Sequence, residues 1–289
     1  MPYPRTPYGY VPTMWICGLF VALFGVSGII HLAQALRWRV YWMIPTMVIG
    51  CLGEVLGWSG RLWSSKNPSL LTPFLMQITT TIISPSFMSA ANFTILGRII
   101  DRLGYRYSWL TPTWYLIIFI TLDTISLVIQ AIGGARASQA AETGGDPEPG
   151  GDIMLYGIVT QIIALGIYVI LGADFLVRYF LDKPTRKLTL KRSTSSDTRL
   201  DEQTTLERPT LERNVKLMVL ALVLNTIFLL IRGGYRTVEL QDGWTGRIIT
   251  NQSLFNLLDG MPIVLCTFIF NILHPGYLLR DTPLEKTKA

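Results

Sequence analysis

Four polar side chains in the segment IRGGYRTVE have the spacing of a single helix face. At positions i, i+3, i+4 and i+7 they are Arg232, Tyr235, Arg236 and Glu239. Two arginines four residues apart repel each other, so in surroundings of low dielectric they need acidic partners. The acids available for this role are Glu54, Asp123, Glu239 and Asp259. The sequence therefore predicts a polar cavity with paired charges.

Seven apolar stretches fill most of the 289 residues, and each is about long enough to cross a bilayer core, which takes about 20 helical residues. They cover residues 13–36, 41–63, 70–100, 113–134, 154–180, 215–236 and 253–278. Hydrophobic residues make up 50% of the chain and charged residues 15%, with a mean hydropathy of +0.39. We therefore predict an all-α membrane protein, a seven-transmembrane-helix bundle over residues 13–280 between tails at 1–12 and 281–289.

The segments between these stretches alternate in charge. Those after the first, third and fifth stretches are basic, as is the C-terminal tail, so the positive-inside rule places the N-terminus outside and the C-terminus in the cytoplasm. The net charge of +6 thus reflects topology, and because arginine-rich segments with interleaved aromatics are missing we expect no binding of nucleic acid. A Gly- and Pro-rich loop at 135–153 is predicted to be mobile and extracytoplasmic, and a charged, Ser- and Thr-rich loop at 181–213 cytoplasmic and disordered.

With this orientation, most polar residues inside the stretches share the outer half of the membrane. Besides the four on the sixth stretch they are Glu54, Arg61, Gln77, Asp123, Gln130, Gln161 and Asp259. Because a charge within the bilayer is costly, such residues commonly mark a substrate path. The alternative is that they join helices by hydrogen bonds. Gly53 and Gly57, four residues apart, predict a close contact between helices.

Several kinds of enzyme site have no counterpart in the sequence. A GxxxxGK[ST] phosphate loop and a Gly-x-Ser-x-Gly elbow are missing, and two histidines are too few for a multi-histidine zinc site. The three cysteines fall inside predicted spans and form no disulfide framework. We therefore predict no catalytic residues, no metal and no cofactor, and expect that the protein is not an enzyme.

The chain resembles the fungal lipid-translocating exporter family, which includes sphingoid long-chain-base exporters and aminocholesterol-resistance proteins. The segments that carry the resemblance are GWSGRLWSS, SPSFMSAANFTILGRII, DTISLVIQAIGG, IRGGYRTVELQDGWTG and the closing D-G-M-P…HPG, and together they cover nearly all seven stretches. Phe93, Gln252 and Asn256 stand where the family usually has Tyr, Glu and Tyr. Gln252 and Asn256 are expected at the mouth of the predicted cavity, so we include both among the candidate site residues.

The resemblance implies movement of amphipathic lipids or toxic amphiphiles toward the outer leaflet or out of the cell, by a multi-pass protein of the plasma membrane. The partners would be membrane lipids and amphipathic small molecules, and no oligomeric state is predicted. The acids Glu54, Asp123 and Asp259 suit a cationic amine whose apolar tail stays in lipid. One alternative is a seven-span sensor that binds a ligand without moving it. Another, an intramembrane lipid hydrolase, is disfavoured because metal ligands are missing.

Overall fold

Long helices dominate the structure, a computed structural model that describes residues 6–184, 212–243 and 246–280. Helix α1 spans Met14–Trp38, α2 Ile49–Lys66, α3 Leu71–Leu103, α4 Pro112–Thr143, α5 Glu148–Phe180 and α6 Arg213–Gln241. Helix α7 begins as Gln252–Phe255, passes through a π-helical turn at Asn256–Gly260 and continues as Met261–Ile272. Another π-helical turn, Ile44–Val48, leads into α2, and a short α8 spans Pro275–Leu278. The described ranges contain helices and connecting turns but no β-strand.

Among the described residues, five helices are long and apolar enough to cross a membrane. They are Met14–Trp38, Pro112–Ala140, Glu148–Phe180, Arg213–Gln241 and Gln252–Leu278. Their outward faces carry exposed apolar side chains, such as Ile29, Ile170 and Leu257, which suit contact with lipid. The chain is therefore an all-helical integral membrane protein. Helices α2 and α3 are not among the five, since polar side chains buried in the interior dilute their apolar character.

The bounds predicted for the loop at 135–153 are wrong. Helix α4 continues to Thr143 and α5 begins at Glu148, which leaves only residues 144–147 between them. The glycines that suggested a loop instead allow two helices to touch: a Cβ at Gly133 would lie 2.5 Å from the backbone N of Met154, and one at Gly150 would lie 2.4 Å from that of Ala137. Gly144 does end α4, in the left-handed conformation with φ of +73°.

The close helix contact predicted from Gly53 and Gly57 is confirmed. A Cβ at either position would collide with α3, against Ser84 or Thr81. Helices α2 and α3 therefore approach each other closely, as small residues allow in membrane proteins. Most of the loop predicted at 181–213 and the tail at 281–289 lie outside the described residues, and so does the start of the N-terminal tail.

The two ends of the bundle differ in what covers them. Residues 6–12, which we call the N-terminal segment, lie over one end: the Tyr8 ring packs edge-on against Phe74 at 4.9 Å, and its hydroxyl lies 3.2 Å from Ser64 Oγ. We call this the N-terminal end. At the opposite, far end α5 finishes and α6 begins, and Arg102 pairs with Glu212 at 3.3 Å.

Candidate functional site

Arg236 lies at the centre of a buried network of ion pairs and is only 4% exposed. Its Nε and Nη2 donate to the two carboxylate oxygens of Asp259, at 2.6 and 3.0 Å. Its Nη1 donates to Glu239 at 2.9 Å, and Nη2 also reaches Thr81 Oγ1 at 3.2 Å. Two-pronged bonds between arginine and a carboxylate are strong and fix the geometry of both partners. This arginine therefore ties α6 to α7 and α3.

Arg232, one turn earlier on α6, shares Asp259 with Arg236. Its Nε lies 3.1 Å from Asp259 Oδ1, and its Nη2 donates to the backbone carbonyl of Thr81. Asp259 sits within the π-helical turn of α7, and such turns are frequent at functional sites. The Tyr235 hydroxyl completes the group by donating to Glu239 at 3.0 Å. We call these five residues of α6 and α7 the charged cluster.

Glu54 on α2 adds a third acid beside the two arginines. It is 2% exposed, and Arg232 is close enough for its charge to act on the Glu54 carboxyl. In the part of the chain that the structure describes, its Oε1 accepts no hydrogen bond and it forms no ion pair, whereas Arg232 and Arg236 are paired with Asp259 and Glu239. Burying a carboxylate without an ion pair is costly in a bilayer.

Asp123 belongs to a second polar group, between α3, α4 and α5. Its Oδ1 accepts a hydrogen bond from Gln161 Nε2 at 2.7 Å, and the same nitrogen lies 2.8 Å from Ser86 Oγ. Gln130 Nε2 donates to Gln161 Oε1 at 3.1 Å. Among the described residues Asp123 has amide and hydroxyl neighbours but no ion pair with a cation. We call these four residues the amide cluster. The sequence predicts Asp123 as a possible partner of the arginines, but the structure places it in this separate group.

A small pocket of about 40 Å³ lies between the two clusters. Asp123, Gln130 and Gln161 line one side of it, and Arg232 and Arg236 the other. Residues predicted from six different apolar stretches thus come together around two polar groups. Within the described residues, the Asp123 carboxylate thus has no cationic partner. It lies across the narrow pocket from Arg232 and Arg236, whose charges are already balanced by Asp259 and Glu239.

A larger apolar chamber adjoins this pocket. It has a volume of about 440 Å³ and is lined mainly by apolar side chains of α3 and α4, including Phe74, Ile78 and Leu127. Ile82 and Gln130 line both spaces, so the chamber and the pocket are neighbours. The volume of the chamber lies in the range of about 300 to 1,000 Å³ that is usual for ligand sites. The structure therefore places an apolar chamber beside a polar pocket.

Arg61 lies between the charged cluster and the N-terminal segment. It is 1% exposed, donates a hydrogen bond to the Tyr10 hydroxyl, and places its guanidinium carbon 4.1 Å from the centre of the Phe255 ring. Burial raises the pKa of Tyr8 to about 12, so that hydroxyl keeps its proton throughout the physiological range. On α3, the Gln77 amide donates a hydrogen bond to the Thr81 hydroxyl at 3.3 Å. The N-terminal segment thus covers the charged cluster.

Gln252 and Asn256 do not line the pocket or the chamber. The side-chain oxygen of Gln252 instead accepts a hydrogen bond from Thr13 at 3.1 Å, at the start of α1. Asn256 lies in the π-helical turn with its Oδ1 buried and unpartnered. Their place at the mouth of a cavity stays a prediction.

Sequence reasoning missed several neighbours of the candidate residues. Thr81 bonds both arginines and Ser86 bonds Gln161, yet neither was singled out. A signal for them existed, because the threonines at 79–81 and the serines at 84, 86 and 89 are unusual in an apolar stretch. The pairing of Tyr10 with Arg61 had no such signal, since the two residues are 51 positions apart.

The apolar helices and buried charges define a helical membrane protein with an internal polar site. The chain belongs to the family described as RTA1 like protein, which matches residues 47–282. It is 29% identical to the sphingoid long-chain base transporter RSB1 of Saccharomyces cerevisiae, over 94% of this chain and 74% of that protein. It is 26% identical to Protein RTA1 of the same organism, over 93% and 84%, and 25% identical to its protoporphyrin uptake protein 1, over 81% and 68%. No solved structure matches the chain.

Proposed function

We propose that this protein moves amphipathic lipids or related amphiphiles across the membrane, toward the outer leaflet or out of the cell. The observation that carries the proposal is the position of the apolar chamber beside the polar pocket, with Ile82 and Gln130 in the walls of both. An amphiphile needs both environments side by side. The names of two relatives, a sphingoid long-chain base transporter and a protoporphyrin uptake protein, support movement of such molecules.

Asp123 is the group best placed to receive a cationic head. Its neighbours are neutral amides and a hydroxyl, whereas Asp259 and Glu239 already hold two arginines. A protonated amine that enters the pocket would therefore gain an ion pair at Asp123 without displacing another cation. The apolar tail would occupy the adjoining chamber. The remaining candidate residues, including Glu54, Gln130 and Gln161, would line or support this path.

The proposed topology has seven membrane spans, with the N-terminus outside. In this arrangement α2 and α3 also cross, because each is long enough and each turns its polar side chains inward. The far end of the bundle is rich in basic residues, and the positive-inside rule places such an end in the cytoplasm. The N-terminal segment then faces outward, and we place the protein in the plasma membrane.

The test is efflux of a labelled long-chain base from a base-sensitive fungal cell that expresses either the wild-type protein or Asp123→Asn. We expect the variant to lose at least about tenfold of the efflux, because Asn keeps the shape of the side chain but loses the charge that holds the head. Asp174→Asn is the matched control, since Asp174 lies outside the pocket and pairs with Arg178 at 2.6 Å. Full efflux by the Asp123 variant would refute the proposed role of this carboxylate.

A second measurement separates a transporter from a sensor. Purified protein in liposomes should move the labelled base between leaflets, and the Asp123→Asn variant should not. Binding of the base without any movement would overturn the transport proposal and favour the seven-span sensor. Movement in both directions would show that the protein equilibrates its substrate, in keeping with one relative named for uptake.

A further inference from the structure

A second apolar cavity lies at the far half of the bundle, in a groove between α3, α5 and α6. Its volume is about 240 Å³, and its walls include Leu96, Gly172, Leu176, Val219 and Val223. It shares no lining residue with the polar pocket or with the apolar chamber. The proposed path for amphiphiles leaves this groove unused.

The polar groups on the walls of the groove are already bonded to the protein. The Tyr168 hydroxyl donates to the backbone carbonyl of Asn92 at 3.1 Å, and the Thr226 hydroxyl donates to that of Leu222 at 2.7 Å. The groove therefore offers a ligand only apolar surface. Its outer rim includes Val223 and Ile227, each 45% exposed, so it opens sideways toward the surrounding lipid. A hydrocarbon chain is the ligand that such a site admits.

The length of the groove matches one leaflet of the bilayer. Along α6 it runs from Val219 to Leu230, and eleven helical steps span about 16 Å. Half of the hydrocarbon core of a bilayer is about 15 Å thick. A chain that lies in the groove thus begins nearly two turns after Arg213, where α6 starts, and stops about half a turn short of Arg232. This is the length of one acyl chain of a lipid in that leaflet.

Cationic side chains lie where the head of such a lipid would be. Lys216 lies on the same face of α6 as Val219 and Val223, one turn beyond the end of the groove, and Arg213 lies one turn further. Both are exposed, as is Lys183 after the end of α5, and none of the three has an ion pair within the described ranges.

Most acids at this end are already engaged. Glu212 pairs with Arg102 at 3.3 Å and Asp174 with Arg178 at 2.6 Å, while Asp182 accepts a hydrogen bond from Tyr107 at 2.5 Å. Asp101 lies one turn after Arg98 on α3. Counted over the described residues, the mouth therefore carries a net positive charge, which repels a cationic head and attracts an anionic one.

We infer that this groove is a binding site for an anionic phospholipid, with one acyl chain between α5 and α6 and the phosphate at Lys216 and Arg213. The site is distinct from the proposed substrate path, and the inference does not depend on transport. Basic pockets between membrane helices commonly hold anionic headgroups. The bound lipid would brace α6 against α5 at the end where α6 begins.

The experiment measures lipid binding to the purified full-length protein by native mass spectrometry. Dioleoylphosphatidylserine and dioleoylphosphatidylcholine are titrated separately, so that the chains are equal and only the headgroup differs. We expect the wild-type protein to bind phosphatidylserine about fivefold more tightly, the effect of about one lysine near a membrane surface. Lys216→Gln should weaken this preference, because Arg213 alone is then left at the headgroup, and Lys216→Arg should keep it. Equal binding of the two lipids by the wild-type protein would overturn the inference.

A second variant tests the groove itself. Gly172→Leu places a side chain into the groove from α5, because a Cβ added at this position would lie 3.4 Å from Leu96. We expect this variant to bind both lipids less tightly. Gly166→Leu is the matched control, because a Cβ there meets nothing within 4 Å and the residue lies on the same helix. Unchanged binding by Gly172→Leu would place the lipid elsewhere. If that variant does not fold, the headgroup preference of Lys216→Gln alone decides.

Discussion

The charged cluster and the amide cluster face each other across one small pocket, but they differ in how their charges are balanced. In the charged cluster, Arg236 is bonded to Asp259, Glu239 and Thr81, and few of its donors are left over. In the amide cluster, Asp123 accepts a hydrogen bond from Gln161 and forms no ion pair with any residue that the structure describes. The first arrangement suits a fixed joint between helices, whereas the second leaves a charge for a ligand. Burial alone therefore does not identify a binding residue, because the partners decide its role.

The largest effect is expected from Arg236→Gln. It leaves Asp259 without its two-pronged partner and Glu239 without an ion pair, and removing one member of a buried pair costs about 3 to 5 kcal/mol. The free energy of unfolding, measured by denaturant titration in micelles, should fall by that amount. Arg178→Gln is the control, since its pair with Asp174 is about one-third exposed and should contribute less than about 1 kcal/mol. Similar losses in both variants would contradict a structural role for the charged cluster.

Gln161→Leu should have a smaller effect on stability, about 1 to 3 kcal/mol. The substitution leaves Asp123 and Gln130 with unsatisfied buried groups. The same micelle titration measures the loss, and the efflux assay should show a defect as well, because Gln161 orients the carboxylate. A stable variant that retains full efflux would show that the amide cluster does not hold Asp123 for a ligand.

Tyr10→Phe should have the smallest effect, about 1 kcal/mol. It removes one hydroxyl from the Arg61 guanidinium but keeps the ring beside it. In a Ser64→Cys background, reaction of the new thiol with a water-soluble reagent should become faster, because Ser64 is buried against Tyr8 and the N-terminal segment is then held less firmly. Tyr277→Phe, exposed at the far end, is the matched control. No change in accessibility would show that the segment does not close that end.

The sequence predicted helices well where the pattern is local. Apolar stretches long enough to span the bilayer produced the long helices, and the spacing of Gly53 and Gly57 indicated a contact that the structure contains. The sequence-based prediction is wrong at residues 135–153, where the glycines and prolines indicate a loop. Gly133 and Gly150 are instead where α4 and α5 pack backbone to backbone. Composition does not distinguish a glycine that ends a helix from one that lets two helices meet.

The candidate residues were found by a different kind of argument. Polar side chains in an apolar stretch are visible in the sequence, and this pointed to both clusters. The separation of Asp123 from the arginines was not visible, nor was the position of Gln252 against Thr13. Thr81 and Ser86 were overlooked because hydroxyl side chains carry no charge and bond readily to their own helix.

The sequence by itself determined that this is an integral membrane protein and that Arg232, Arg236 and Glu239 share one face of α6. Both conclusions follow from properties of single segments: the mean hydropathy of a stretch and the period of a helix. Only the tertiary structure decided that Asp259 from α7 holds those arginines, that Gln161 bonds Asp123, and that an apolar chamber lies next to the polar pocket. The reason is that helices in lipid choose their neighbours by close packing and by hydrogen bonds between distant segments, which no local pattern records.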